Sequence, residues 1–199
     1  MEIKEANLNN YVRIFDNVFN KIFLKKLNDY AEINPFQLEH DAEIVGRSHS
    51  LVDKKTRDCS QEQFSLNSKS MTNIGFTNRI GSTFCKYIER YIEDCEMQSV
   101  FGSTTINDII LLRYDKEGHY LRHVDSGTKT LRTLSLIFFI NDDYKGGEVE
   151  FSLPYNENMN TLVKPKSNRL IIFPSNFLYP HKVLPVETNK RYSIVAWTI

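Results

Sequence analysis

From residue 106 onward the apolar residues no longer recur at helical spacing. They fall instead into eight short runs parted by Gly, Pro, Asn and Asp. The runs are Asp108 to Tyr114, His119 to Val124, Leu131 to Asn141, Glu148 to Phe151, Thr161 to Lys164, Leu170 to Pro174, His181 to Pro185 and Arg191 to Ile199. Parallel strands need crossover connections long enough to hold a helix, and no helical segment lies between these runs. The expected class is therefore α+β, mainly β: a double-stranded β-helix, or jelly roll, of about eight antiparallel strands.

The first 105 residues read as a supporting layer. Tyr11 to Phe15 suits a strand, and Val18 to Ala31 carries apolar residues at helical spacing with Asp16 nearby as a cap. A second helix is expected from about Thr72 to Glu96, because Ile80, Phe84, Ile88, Tyr91 and Ile92 share one face; Gly75 and Gly81 blur its start. Residues 39–67 are polar and aperiodic, with Val45, Leu51 and Val52 as sparse anchors around the block Asp53 to Asp58. Such a stretch reads as a long loop bordering a binding site. A chain of 199 residues without a composition break is expected to form one domain, with residues 1–105 as support and 106–199 as the core.

Balanced charge, 25 basic against 25 acidic residues, gives no electrostatic case for nucleic acid or a membrane surface. No run is long enough to span a bilayer, and the mixed-charge N-terminus lacks the apolar stretch of a secretory signal, so cytoplasmic residence is expected. Cys59, Cys85 and Cys95 are odd in number and lack Cys-x-x-Cys spacing, which suits idle thiols.

His123-Val124-Asp125 puts an imidazole and a carboxylate two apart, so on a strand both project from one face. Taken alone the pair is weak: with five His and 25 acidic residues it arises readily by chance, and a half-exposed His beside a turn Asp explains it equally well. His181 opens a later strand that a jelly roll can bring alongside. Two His and one carboxylate make a facial triad, which leaves three neighbouring metal positions open, as non-haem Fe(II) requires. His119 is a candidate extra ligand, with a surface role favoured.

Along the last run Arg191, Ser193, Val195 and Trp197 share a face. A guanidinium there suits bidentate recognition of a carboxylate, with the Ser193 hydroxyl as helper; the alternative is an Arg flanking a core strand and reaching to water. Tyr114 lies on the first run and offers a phenolic donor, or else is a core aromatic. Phe138 could wall a ligand or simply pack.

Together these residues resemble the prolyl 4-hydroxylase-like branch of the Fe(II)/2-oxoglutarate-dependent dioxygenases, over about residues 106–199. The ordered match comprises Arg113-Tyr114, Gly118, Tyr120, His123-x-Asp125, Phe139-x-Asn141-Asp142, Gly146-Gly147-Glu148, Pro165, Phe173, Pro180-His181, Arg191 and Trp197. The resemblance implies Fe(II) on His123, Asp125 and His181, with 2-oxoglutarate held by Arg191, Tyr114, Ser193 and Phe138. It also implies O2 as oxidant and ascorbate as reductant, with no catalytic side chain beyond the metal ligands. Its implied product is a hydroxylated prolyl or similar residue of a peptide or protein. Arg57, Arg132, Tyr120 and Trp197 are the expected substrate contacts, though Arg57 and Arg132 also read as solvated charges.

Three departures stand out. Ser167-Asn168-Arg169 replaces a turn that often has Gly, and Asn tolerates the left-handed conformation there. Arg191 stands where many collagen-type members have Lys. Trp197 stands where nucleic-acid demethylases of the wider group tend to carry a second Arg, which weakens that reading. Other readings are a small-metabolite hydroxylase, a jelly-roll binding module with a vestigial metal site, and a zinc hydrolase, for which no general base at helical spacing is visible.

Overall fold

The computed structural model describes residues 7–33, 53–98, 105–127, 130–153 and 156–199. The eight expected strands of the core are all present. They are β3 (Ile106–Tyr114), β4 (Tyr120–His123), β5 (Leu134–Phe139), β7 (Val149–Leu153), β8 (Asn156–Val163), β9 (Arg169–Pro174), β10 (His181–Val183) and β12 (Arg191–Thr198). Flanking them are β1 (Arg13–Asp16), β2 (Ser60–Phe64) and the short pair β6 (Lys145–Gly146) and β11 (Val186–Thr188). One sheet has the order β1-β9-β5-β12-β3-β2, the other β4-β10-β7-β8. All pairings are antiparallel, so the core strands divide four and four between two sheets, as a double-stranded β-helix requires.

Helices α1 (Lys21–Ile33) and α2 (Met71–Asp94) cover the outer face of the six-stranded sheet. Leu27 and Ala31 of α1 and Ile80, Phe84, Ile88 and Tyr91 of α2 bury against Leu111, Phe138, Leu170 and Ile194 of the sheet. Such a stripe recurs every three or four residues because that spacing returns to one side of a helix. Ser70 caps α2, its hydroxyl accepting from the Asn73 N–H. Gly75 and Gly81 do not interrupt it.

Several expectations are corrected. The first helix starts at Lys21 rather than Val18, and Asn20, not Asp16, caps it by accepting from the Phe23 N–H at 2.9 Å. The chain turns at Asn17, with φ 60°, and Phe19 is stapled to Asn168, whose amide bonds both its N–H and its carbonyl. Asp16 instead ends β1 and pairs with Arg169 and Lys166, which hold its carboxyl down to about 2. Asn168 does adopt the left-handed conformation, at φ 66°.

The expected loop over 39–67 contains β2, an edge strand paired with β3. Its sequence, Ser-Gln-Glu-Gln-Phe, lacks apolar alternation because only Phe64 is buried. The anchors Val45, Leu51 and Val52 lie outside the described residues. Just before β2, the Leu121 N–H bonds the Thr56 carbonyl, and Asp58 and His119 exchange backbone bonds. The stretch from Thr56 to Phe64 therefore bonds first to β4 and then to β3, and so ties the two sheets together beside the cavity between them.

Candidate active site

The pairing of β4 with β10 sets His181 directly opposite His123, and their ring centroids are 4.4 Å apart. Asp125 follows β4 by two residues and turns back between them. Its Oδ1 lies 3.4 Å from His123 Nε2 and its Oδ2 3.6 Å from His181 Nε2. One ligand atom from each of the three residues lies within 4.8 Å of the others, close enough for all three to hold one ion.

The supporting contacts fix which nitrogens face that ion. His123 Nδ1 lies 2.9 Å from the Leu121 carbonyl and His181 Nδ1 lies 3.1 Å from the Tyr179 carbonyl. A carbonyl only accepts, so each Nδ1 carries the proton and each Nε2 keeps a lone pair for a metal. Burial, with the nearby His123, pushes the His181 imidazole down to about 4, so it is neutral at physiological pH. Burial alone would raise the Asp125 carboxyl; His181, His123 and the Ser135 hydroxyl outweigh it and hold it well below the usual carboxylate range. Ser135 donates to Asp125 Oδ2 at 2.7 Å and shares a hydrogen bond with Ser175. A largely buried carboxylate between two imidazoles is a donor set that fits a divalent cation, and among the described residues this is the one such group. His119 stands outside it, its nitrogens facing the Glu117 and Lys55 carbonyls.

The triad opens into a cavity of about 450 Å³ between the sheets, walled by apolar residues such as Ile110, Leu112 and Val195. Arg191 lines the same cavity although it is only 1% exposed. It stands directly across from Tyr114 in the β3–β12 register, with its guanidinium 4.7 Å from the Tyr114 ring and 5.1 Å from the Phe139 ring. Arg191 Nη1 donates to Ser193 Oγ at 2.9 Å. Ser193 is wholly buried behind the guanidinium and contributes no cavity surface.

Phe138 is not at the cavity. It faces the helices, packing on Phe19 and Phe84, because strand alternation gives the cavity side to Ile137 and Phe139. The four expected substrate contacts do line the cavity. Arg57 is buried and lies over the Tyr120 ring, which stacks on His123 at 3.6 Å. Arg132 lies flat on Trp197 at 3.6 Å, with Asp108 at 4.0 Å. Ser135 and Ser175, beside Asp125, are site residues that sequence reasoning passed over, and it also passed over Tyr144, which packs beside Arg191 without lining the cavity. The lone polar side chain in the run Leu134-Ser135-Leu136-Ile137-Phe138-Phe139 was the available signal for Ser135.

Residues 109–199 match the family described as the 2OG-Fe(II) oxygenase superfamily. The β-helix core is therefore similar to that superfamily over nearly its whole length. A segment of 68 residues, 34% of the chain, is 35% identical to prolyl 3-hydroxylase 2 of Homo sapiens, and the chain spans about a tenth of that relative's length. A prolyl hydroxylase from Trichoplax adhaerens, solved in complex with a hypoxia inducible factor peptide fragment, matches 96% of this chain and 85% of its own, with a TM-score of 0.71 at 18% identity. A Pseudomonas putida prolyl-4-hydroxylase matches 94% and 91%, with a TM-score of 0.68 at 14% identity. These structural likenesses establish the fold, and the sequence relative that matches the 68-residue segment is a prolyl hydroxylase. The three residues that sequence spacing singled out are the ones the fold brings together as a candidate metal group.

Proposed function

We propose that this chain, as one oxygenase domain over residues 1–199, is an Fe(II)- and 2-oxoglutarate-dependent hydroxylase of a peptidyl prolyl residue, in the manner of a prolyl 4-hydroxylase. One observation carries the reading: His123, Asp125 and His181 converge on one wall of a cavity that also holds a buried guanidinium, Arg191, with no carboxylate partner among the described residues. A buried cation of that kind is matched by an anionic ligand.

Iron(II) bound by the triad supplies the activation of O2 that couples conversion of 2-oxoglutarate to succinate and CO2 with hydroxylation of a C–H bond. The chain's own part is orientation. Leu121 and Tyr179 lock the two imidazoles, Ser135 fixes Asp125, and Arg191 with Tyr114 anchors the distal carboxylate of 2-oxoglutarate. Ile110, Leu112 and Val195 exclude water from its methylenes. The single carboxylate leaves a divalent ion one net positive charge, which a dianionic 2-oxo acid can neutralise.

The substrate assignment leans on the prolyl hydroxylase relatives and on the wall formed by Arg57, Tyr120, Arg132 and Trp197. Ascorbate as reductant and cytoplasmic residence belong to the same proposal; no helix among the described residues is long and apolar enough to cross a membrane.

The test is anaerobic titration with Fe(II) and 2-oxoglutarate, followed by incubation with proline-containing peptides in air. A charge-transfer band, succinate release and a peptide mass gain of one oxygen are expected. Absence of the band would remove the metal and co-substrate assignments. Succinate release driven by a free amino acid or small metabolite, and not by any peptide, would remove the peptidyl one.

A further inference from the structure

Next to Arg191 the backbone is shaped around a second phenol. Gly146 and Gly147 have φ values of 74° and 66°, a region that side-chain-bearing residues rarely enter. A Cβ on Gly147 would stand 2.8 Å from Arg191 Cδ and 3.2 Å from Tyr144 Cε2. The bare turn therefore lets Tyr144 and Arg191 pack side by side.

Tyr144 is 9% exposed, and its buried hydroxyl has the Arg191 guanidinium beside it but no acceptor for its proton; Arg191 Nε is also buried without a partner. The nearest charged neighbour of the phenol is the guanidinium, which has five donors and no acceptor. The phenol proton thus has nothing within the described residues to donate to, and an anion held by Arg191 would provide it. Burial pushes the phenol up to about 12, with Arg191 opposing, so it keeps its proton at physiological pH. Of the other aromatic groups at the guanidinium, Phe139 has no hydroxyl, and Tyr114, the phenol already assigned to the carboxylate, stands across the strand pair from Arg191.

We propose that Tyr144 completes the carboxylate subsite, its hydroxyl donating to the same distal carboxylate that Arg191 grips. This rests on the reading of Arg191 as the 2-oxoglutarate anchor.

The experiment uses the full chain loaded with Zn(II), which occupies the triad without redox chemistry, and calorimetry with two probes. 2-Oxoglutarate has the distal carboxylate; oxalate chelates the metal but lacks it. Tyr144→Phe is expected to weaken 2-oxoglutarate about tenfold or more, the worth of a hydrogen bond to a charged group. It should leave oxalate unchanged. The ligand-free variant should melt at or above the wild-type temperature, because a buried hydroxyl without an acceptor for its proton has been removed. Wild-type affinity for 2-oxoglutarate in Tyr144→Phe, or equal weakening of both probes, overturns the proposal. Arg191→Gln is measured alongside. If it loses 2-oxoglutarate while Tyr144→Phe does not, the Tyr144 assignment alone falls; if it too keeps full affinity, the anchor reading falls.

Discussion

The two faces of the six-stranded sheet are built from the same strands and serve opposite ends. Toward the helices β12 presents Tyr192, Ile194 and Ala196, β5 presents Leu134, Leu136 and Phe138, and the packing is apolar throughout. Toward the cavity the same two strands present Arg191, Ser193 and Trp197, and Ser135, Ile137 and Phe139. The helix face supplies burial, which scales with apolar area and tolerates little volume loss. The cavity face holds a buried cation and hydroxyls whose cost is offset by ligands and by one another. A rigid apolar layer on one side lets the other carry groups that would not by themselves stabilise a fold.

The largest effect is expected from Asp125→Ala. Removing the carboxylate between the two imidazoles should abolish succinate production and Fe(II) binding by titration, while circular dichroism of the metal-free protein stays unchanged. Loss of fold in that variant would show that the cavity face is also structural.

Phe138→Ala tests the helix face. Truncating a buried Phe packed on Phe19 and Phe84 should cost about 3–5 kcal/mol in denaturant unfolding. Calorimetry on the folded protein should return wild-type 2-oxoglutarate affinity. A matching drop in affinity would mean that the two faces are not separable.

Arg191→Gln should weaken 2-oxoglutarate about tenfold to a hundredfold, and metal affinity far less.

Acid should act through the cavity face. His181 titrates lower in the folded chain, about 4, than unfolded, so the unfolded state takes up the proton first. Stability of the metal-free protein should be full above pH 6.5 and fall as pH drops from there toward 4, with Asp125 adding to the loss below its ordinary carboxylate range. Thermal melts across pH 7 to 4 test this, and a His181→Gln variant should flatten the upper part of the decline. The smallest change is expected at the far edge of the sheet. Asp16→Asn, which breaks a half-exposed ion cluster with Lys166 and Arg169, should cost no more than about 1 kcal/mol at neutral pH and low salt.

Sequence alone determined the eight core strands, because short runs between turn residues have few other solutions, and it picked out the three residues of the candidate triad. On β12 it also determined which residues lie on the side between the sheets, since Arg191 and Ser193 alternate with Tyr192 and Ile194 and mark the phase of the strand. On β5 it could not. Leu134 to Phe139 is buried on both faces, so a period of two leaves no contrast, and only pairing with β12 and β9 decided that Ile137 and Phe139, not Phe138, lie on the side between the sheets. The same holds for β2, whose polar residues became a strand because β3 offered an edge, and for Asp16, which found Arg169 across the chain before it could cap a helix. Tyr144 joins them, since its neighbour Arg191 lies 47 positions on and only the Gly146-Gly147 turn brings the two into one place. Local pattern records what a residue is next to along the chain; register and long-range pairing decide what it touches, and the chemistry of this site depends on touch.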